Sequence, residues 1–163
     1  SVRPNGLGLR STETYAADTA GGKLVLEGRN EMSDEMTKED VDGAGRELLH
    51  KFMAALNAHN AAGMDACLHF PHMRIGNGRV DVWDEPGANP MDMFERLKRE
   101  DGWHSSTWDD IQLVQWGPLK AHFTLDFTRY REGGSIIGVY ETLCILMLKD
   151  GKWGMHARSS YGP

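Results

Sequence analysis

The stretch LKAHFTLDFTRYREGGSIIGVYETLCILMLKDGKWGMHARSSY, residues 119–161, decides the fold class. Runs rich in Val, Ile, Phe, Tyr and Thr are interrupted by Glu132-Gly133-Gly134 and by Asp150-Gly151, both of them turn signals. They read as the strands Leu119–Tyr130, Ile136–Leu148 and Trp153–Tyr161 of an antiparallel meander, and Ile111–Trp116, ended by Gly117-Pro118, supplies a fourth. Centring the first turn on Gly133 sets Asp126 opposite Tyr140, Thr124 opposite Thr142 and His122 opposite Cys144. The second turn sets Cys144 opposite Ala157, Leu146 opposite Met155 and Leu148 opposite Trp153. Alternation then places His122, Asp126, Tyr140, Thr142, Cys144, Leu146, Trp153 and Met155 on one face. The other face takes Phe123, Leu125, Phe127, Leu143, Ile145 and Met147, with Glu141, His156 and Arg158 among them, Glu141 and Arg158 close enough for a buried ion pair. Neither face is simply wet, so one is expected under the protein's own helices and the other against a second copy.

Upstream, the periodicity changes. Val41, Ala44, Leu48, Phe52 and Leu56 recur at spacings of three and four behind Thr37-Lys38-Glu39-Asp40, a capping box with Asp in the third position. They predict an amphipathic helix to about Asn57–His59. A short second helix is expected near Met64–Leu68. Met73–Ile75 and Val80–Trp83 form a hairpin across Gly76-Asn77-Gly78-Arg79, and Asn89-Pro90 opens a third helix that ends at Gly102. Helices first and a long antiparallel sheet afterwards is an α+β pattern. Residues 1–36 read as an N-terminal tail, flexible or expression-derived, with Met32 and Met36 as plausible starts; residues 37–163 read as one domain.

The chain of 163 residues has 18 Lys+Arg against 24 Asp+Glu, a formal charge of −6. The basic residues are scattered, which argues against nucleic-acid binding, since that needs a stripe of positive charge to displace counterions. No run reaches the roughly 18 apolar residues of a membrane helix. Cys67 and Cys144 sit far apart in apolar company, so they read as reduced thiols of a cytoplasmic protein, and Cys144 as an inert one. His69 and His72 flank Pro71 without a third ligand nearby, and no metal or other cofactor is implied. Gly6-Leu7-Gly8 and Gly76-Asn77-Gly78 lack the strand and helix context of a phosphate loop.

The order of elements from Thr37 to Tyr161 resembles the nuclear transport factor 2-like superfamily, which includes ketosteroid isomerase and the SnoaL-like cyclases. The phrases carrying the likeness are Tyr140-Glu141-Thr142-Leu143-Cys144, Lys149–Trp153, Ala157–Ser160 and the helix ending Ala55–Asn60; His69–His72 is a segment seen in bacterial members. The resemblance implies a cone-shaped fold of three N-terminal helices on a curved antiparallel sheet, a pocket under the helices and a homodimer through the convex face. It implies a small, largely apolar organic ligand. If the pocket is catalytic, metal-free isomerisation, dehydration or cyclisation would use Asp126 as base, Tyr140 as hydrogen-bond donor and His122 as second acid/base. The plainer reading of Asp126 with Tyr140 is a structural cross-strand hydrogen bond. His72, Trp83, Phe52, Cys144, Trp153 and Arg158 are the expected ligand contacts. Phe52 and Met53 stand where ketosteroid isomerase would place an oxyanion-donating tyrosine, and no Asp-Arg-Asp set is present, so neither named activity carries over. The alternative is a non-catalytic ligand-binding or homodimeric assembly module of the same fold.

Overall fold

A computed structural model of the chain describes residues 36–89 and 92–162. The expectations for the tail and for Pro90-Met91 lie outside these. The helix α1 runs Lys38–Asn57, capped as expected: the Thr37 hydroxyl accepts from the Asp40 amide at 3.2 Å, and the Asp40 carboxylate accepts from the Thr37 amide at 3.0 Å. A second helix, α2, is Ala61–Asp65, three residues earlier than predicted because Asn60 caps it by accepting from the Gly63 amide. A hairpin of β1 (Leu68–Gly76) and β2 (Arg79–Trp83) follows with the register expected from its turn, Ile75 opposite Val80. Helix α3, Met93–Asp101, ends on left-handed Gly102.

The remaining strands are β3 (Trp103–Gly117), β4 (Lys120–Arg131), β5 (Ile136–Lys149) and β6 (Lys152–Ser160). β3 begins eight residues before its predicted start, since His104–Asp110 has the composition of a loop and is held in the sheet by the pairing of Ser105–Asp109 with β4. The six strands form one curved sheet in the order β2-β1-β6-β5-β4-β3. β1 runs parallel to β6 and all other pairs are antiparallel, so the sheet is mixed, not wholly antiparallel as expected.

The meander's register departs from expectation at two places. Next to the first turn Tyr130 pairs with Ile136, as centring on Gly133 requires; then a bulge at Ile137 inserts one residue, and beyond it Arg129 pairs with Gly138, Phe127 with Tyr140 and Asp126 with Glu141. The second turn has Asp150 and Gly151 both at positive φ, 52° and 73°. It sets Leu148 opposite Trp153 and Leu146 opposite Met155 as predicted. A second bulge at His156 then shifts the pairing, so that Cys144 meets Arg158 and Thr142 meets Ser160. Because side chains alternate, a slip of one residue exchanges faces. β5 and the first half of β6 keep their predicted faces; β4 and the end of β6 are reversed.

The face under the helices therefore carries Ala121, Phe123, Leu125 and Phe127 from β4, Thr142, Cys144 and Leu146 from β5, and Met155, Arg158 and Ser160 from β6. Helix α1 lays Val41, Gly45, Leu48, Leu49, Phe52 and Met53 on it. Phe123, Leu49, Leu146, Met155, Val41 and Cys144 are the most deeply buried of these side chains. Each large one contributes about 1.5–3 kcal/mol by leaving water.

Candidate functional site

Where the sheet curls away from α1, a cavity of about 630 Å³ opens between the sheet, β2 and α3. That volume is in the range of organic ligand sites. Its apolar walls are three indoles, Trp83, Trp103 and Trp108, with Phe127 beside them and Met53, Leu56 and Met64 above. The rings are held from behind. Trp103 Nε1 donates to Ser106 Oγ at 2.9 Å and Trp108 Nε1 donates to the Leu49 carbonyl at 2.8 Å. Asn57, the last residue of α1, accepts from the Ser106 amide and donates to the Ser106 carbonyl, both at 2.8 Å. His59 stacks on Phe94 and Trp103 with centroids 4.9 and 5.4 Å away, fastening α3 to the end of α1. Aromatic walls fixed by such bonds lose little freedom when a ligand arrives.

The polar part of the cavity is cationic. Among the described lining residues, Arg74, Arg79, Arg96, Arg129 and Arg158 stand against one carboxylate, Asp81, which Arg79 holds at 2.9 Å. Arg158 lies over the Phe52 ring at 5.2 Å and Arg129 over both Phe127 and Tyr140 at 5.4 Å. These contacts brace the guanidinium planes. Arg129 also has Asp101 at 3.6 Å. Burial, and then the neighbouring Arg74, push Arg158 down to about 9, and burial with Arg129 lowers Arg74 in the same sense. Both remain cationic at neutral pH.

The expected catalytic trio is not assembled. Tyr140 shares the inner face with Phe127, their rings 4.9 Å apart, while Asp126 pairs with Glu141 on the outer face. His122, also outside, shares its ring nitrogen Nδ1 with Gln115 Oε1 at 2.7 Å. The expected Glu141–Arg158 ion pair is likewise divided between faces, the bulge at His156 having turned Arg158 inward. Of the expected ligand contacts, Trp83 and Arg158 line the cavity directly. Phe52 lies beneath Arg158. Cys144 is fully enclosed behind it, and burial pushes its thiol up to about 12 against the weaker opposing pull of Arg158 and Arg74. It therefore stays protonated. Trp153 lies beside a different, shallow depression between α1 and α2. His72 stands behind Trp83, rings 5.3 Å apart, and its Nδ1 donates to the Met155 carbonyl at 3.0 Å. His69 turns the other way, its Nε2 near the Met147 and Lys152 carbonyls at 3.1 and 3.0 Å.

The arginine cluster was missed because its members are dispersed along the chain: Arg74 and Arg158 meet through β1–β6 pairing, the two bulges turn Arg129 and Arg158 inward, and Arg79 and Arg96 come from β2 and α3. A signal for the bulges did exist: isolated Gly138 adjoins the first, and Gly154 lies two residues before the second.

No protein-family model and no curated protein sequence matches the chain. Solved structures do share its fold. A Nostoc punctiforme protein of unknown function with a cystatin-like fold is similar at TM-score 0.64 and 15% identity, over 78% of this chain and 93% of that one. A nuclear transport factor 2-like protein with a cystatin-like fold from Novosphingobium aromaticivorans gives 0.60 at 12% identity, over 73% and 79%. A ketosteroid isomerase-like protein from Erwinia carotovora gives 0.55 at 16%, over 74% and 96%. At such identities the likeness is one of fold, and the fold is nuclear transport factor 2-like, as the resemblance in sequence implies. Among the described residues no helix is long and apolar enough to cross a membrane.

Proposed function

From a nuclear transport factor 2-like fold with this cavity, we propose that the chain binds a small organic molecule with a flat, largely apolar body, without transforming it. The observation that supports binding is the wall of Trp83, Trp103 and Trp108, whose rings are braced by His72, the Ser106 hydroxyl and the Leu49 carbonyl respectively. What favours the non-catalytic alternative is the lining itself. Among its described residues the only proton-transfer group of the carboxylate, imidazole or phenol type is Asp81, and Asp81 is held by Arg79 on an edge strand. A titration of the full chain with neutral 2-naphthamide, read as quenching of indole emission, is expected to saturate. Ala88 is an exposed lining position. Ala88→Trp is expected to weaken binding about tenfold, equivalent to about 1.4 kcal/mol. Unsaturable quenching would sink the reading.

The outer face supports homodimerisation. Register places Met73, Ala157 and Ile145 in one row across the sheet and Ile75, Ser159 and Leu143 in the next, with exposed Val139 nearby. This is an apolar surface that no element of the described chain covers. Sedimentation at micromolar concentration is expected to give twice the chain mass of 18.2 kDa, and Ile145→Asp to restore a single-chain species. A wild-type protein that sediments as a single chain would refute the dimer.

A further inference from the structure

We propose that the cavity's ligand carries a carboxylate, seated on the floor formed by Arg158, Arg74 and Ser160; this rests on the small-molecule reading above and deepens it. Arg74 and Arg158 are register partners on the parallel pair β1–β6, so their side chains leave neighbouring strands on the same face. Ser160 follows Arg158 at the next inward position. The second observation is a pair of unsatisfied groups on that floor: Arg158 Nε and Ser160 Oγ line the cavity and are buried with no hydrogen-bond partner in the protein. Buried donors call for acceptors, since each one left unmet carries its full desolvation penalty. Among the described residues Arg158 has no carboxylate in salt-bridge range, its aromatic contact with Phe52 being a brace and no neutraliser.

The charge balance points the same way. In a chain with a formal charge of −6, the described residues lining the cavity include five arginines and one carboxylate. Like charges held together at the edge of a low-dielectric interior repel; burial first, and then the neighbouring guanidinium, lowers the proton affinity of Arg158 and of Arg74. An entering anion would relieve that repulsion and satisfy the donors in one step. A carboxylate suits a planar guanidinium fork, which it meets through two parallel hydrogen bonds. The indole walls require that the anion be attached to a flat apolar body, so a bare inorganic ion leaves most of the cavity unfilled. The class is therefore an aromatic or fused-ring carboxylic acid.

The test compares two probes of the same ring system with the full chain: 2-naphthoate and 2-naphthamide, each titrated by quenching of indole emission at neutral pH. The wild type is expected to bind 2-naphthoate about tenfold more tightly or better, since the guanidinium can donate to either probe but forms a bidentate ion pair only with the carboxylate. Raising the salt concentration should narrow that gap. Arg158→Gln should cost 2-naphthoate about tenfold and close most of the gap between the probes, the loss for 2-naphthamide being the smaller. Arg74→Gln should give the same loss in smaller measure, and it serves if the first variant does not fold. Equal binding of both probes by the wild type overturns the carboxylate and leaves the pocket standing. Failure of both probes overturns the pocket reading as well. A preference for 2-naphthoate that survives in both arginine variants places the anion elsewhere and overturns this site.

Discussion

Between neutral pH and about pH 4 the protein is expected to lose about 3 kcal/mol of stability through His72 alone, about 2 of it by pH 5. His72 is 1% exposed, and burial, reinforced by Arg158, His156 and Arg74, lowers its pKa to about 4 against the opposing hydrogen bond to Met155. Its ordinary value is 6.5. Inside that window the unfolded chain takes up a proton on His72 and the folded chain does not. The unfolded state therefore binds more protons, and stability falls as pH falls. His156, lowered chiefly by burial, contributes in the same direction. Asp40 and Glu47 are lowered carboxylates whose contributions disappear only below their ordinary range, so the pH 7 to 5 interval belongs to the imidazoles. Denaturant midpoints of the wild type and His72→Gln across that interval give the check. The variant is expected to start lower, having lost packing on Trp83, and to have the flatter profile. Parallel profiles would show that His72 is not the group that titrates. The consequence reaches the cavity, because His72 backs Trp83 and a cation there would add to the charge of Arg158 and Arg74.

What could be read from the residues divides along the distance over which each feature is specified. The α1 cap, the Asp150-Gly151 turn and the register next to each turn depend on contacts a few positions apart, and residue types at those positions state them directly. The inner face depends on Ile137 and His156, two inserted residues whose own side chains do not mark a bulge. A glycine near each marks where the backbone is tight: a side chain on Gly138 would meet Tyr140, and one on Gly154 would meet His69. Without those bulges Asp126, Tyr140 and His122 share a wall and suggest acid/base chemistry; with them, Arg158 and Phe127 face inward instead. The parallel β1–β6 pair joins Arg74 to Arg158 across most of the folded chain, a pairing that no local pattern encodes. The fold was thus legible from hydrophobic period and turns, whereas the character of the cavity depended on the exact residue count between turns.

Gly45→Ala is expected to destabilise the protein by about 2–3 kcal/mol, the reverse of what the same change does in an exposed helix. Alanine in a helix interior is ordinarily favoured over glycine by about 0.5–1 kcal/mol, because it restricts the unfolded chain. Gly43, two residues earlier on the same helix, shows the ordinary case, since a Cβ there meets nothing within 4 Å. Gly43→Ala should therefore stabilise by about 1 kcal/mol. At Gly45 the added carbon overlaps the Phe123 ring and comes within 3.4 Å of Leu146 Cδ2. Phe123 is fully buried at the centre of β4, and Leu146 is equally enclosed on β5, so neither ring nor branch has space to retreat. The helix must lift from the sheet, and overpacking of that kind costs about 1–3 kcal/mol or more, which exceeds the gain in propensity. Helix α1 also carries Phe52 beneath Arg158 and Met53 and Leu56 in the cavity roof, so the lift should weaken 2-naphthamide binding as well. Thermal or denaturant unfolding of the two alanine variants side by side supplies the measurement. Shortening the partner in Gly45→Ala with Phe123→Leu should recover part of the loss, leaving the double variant more stable than the sum of the single changes by about 1 kcal/mol or more. If Gly45→Ala proves as stable as Gly43→Ala, the helix does not sit on Phe123 at the closeness described, and the cavity roof it positions moves with it.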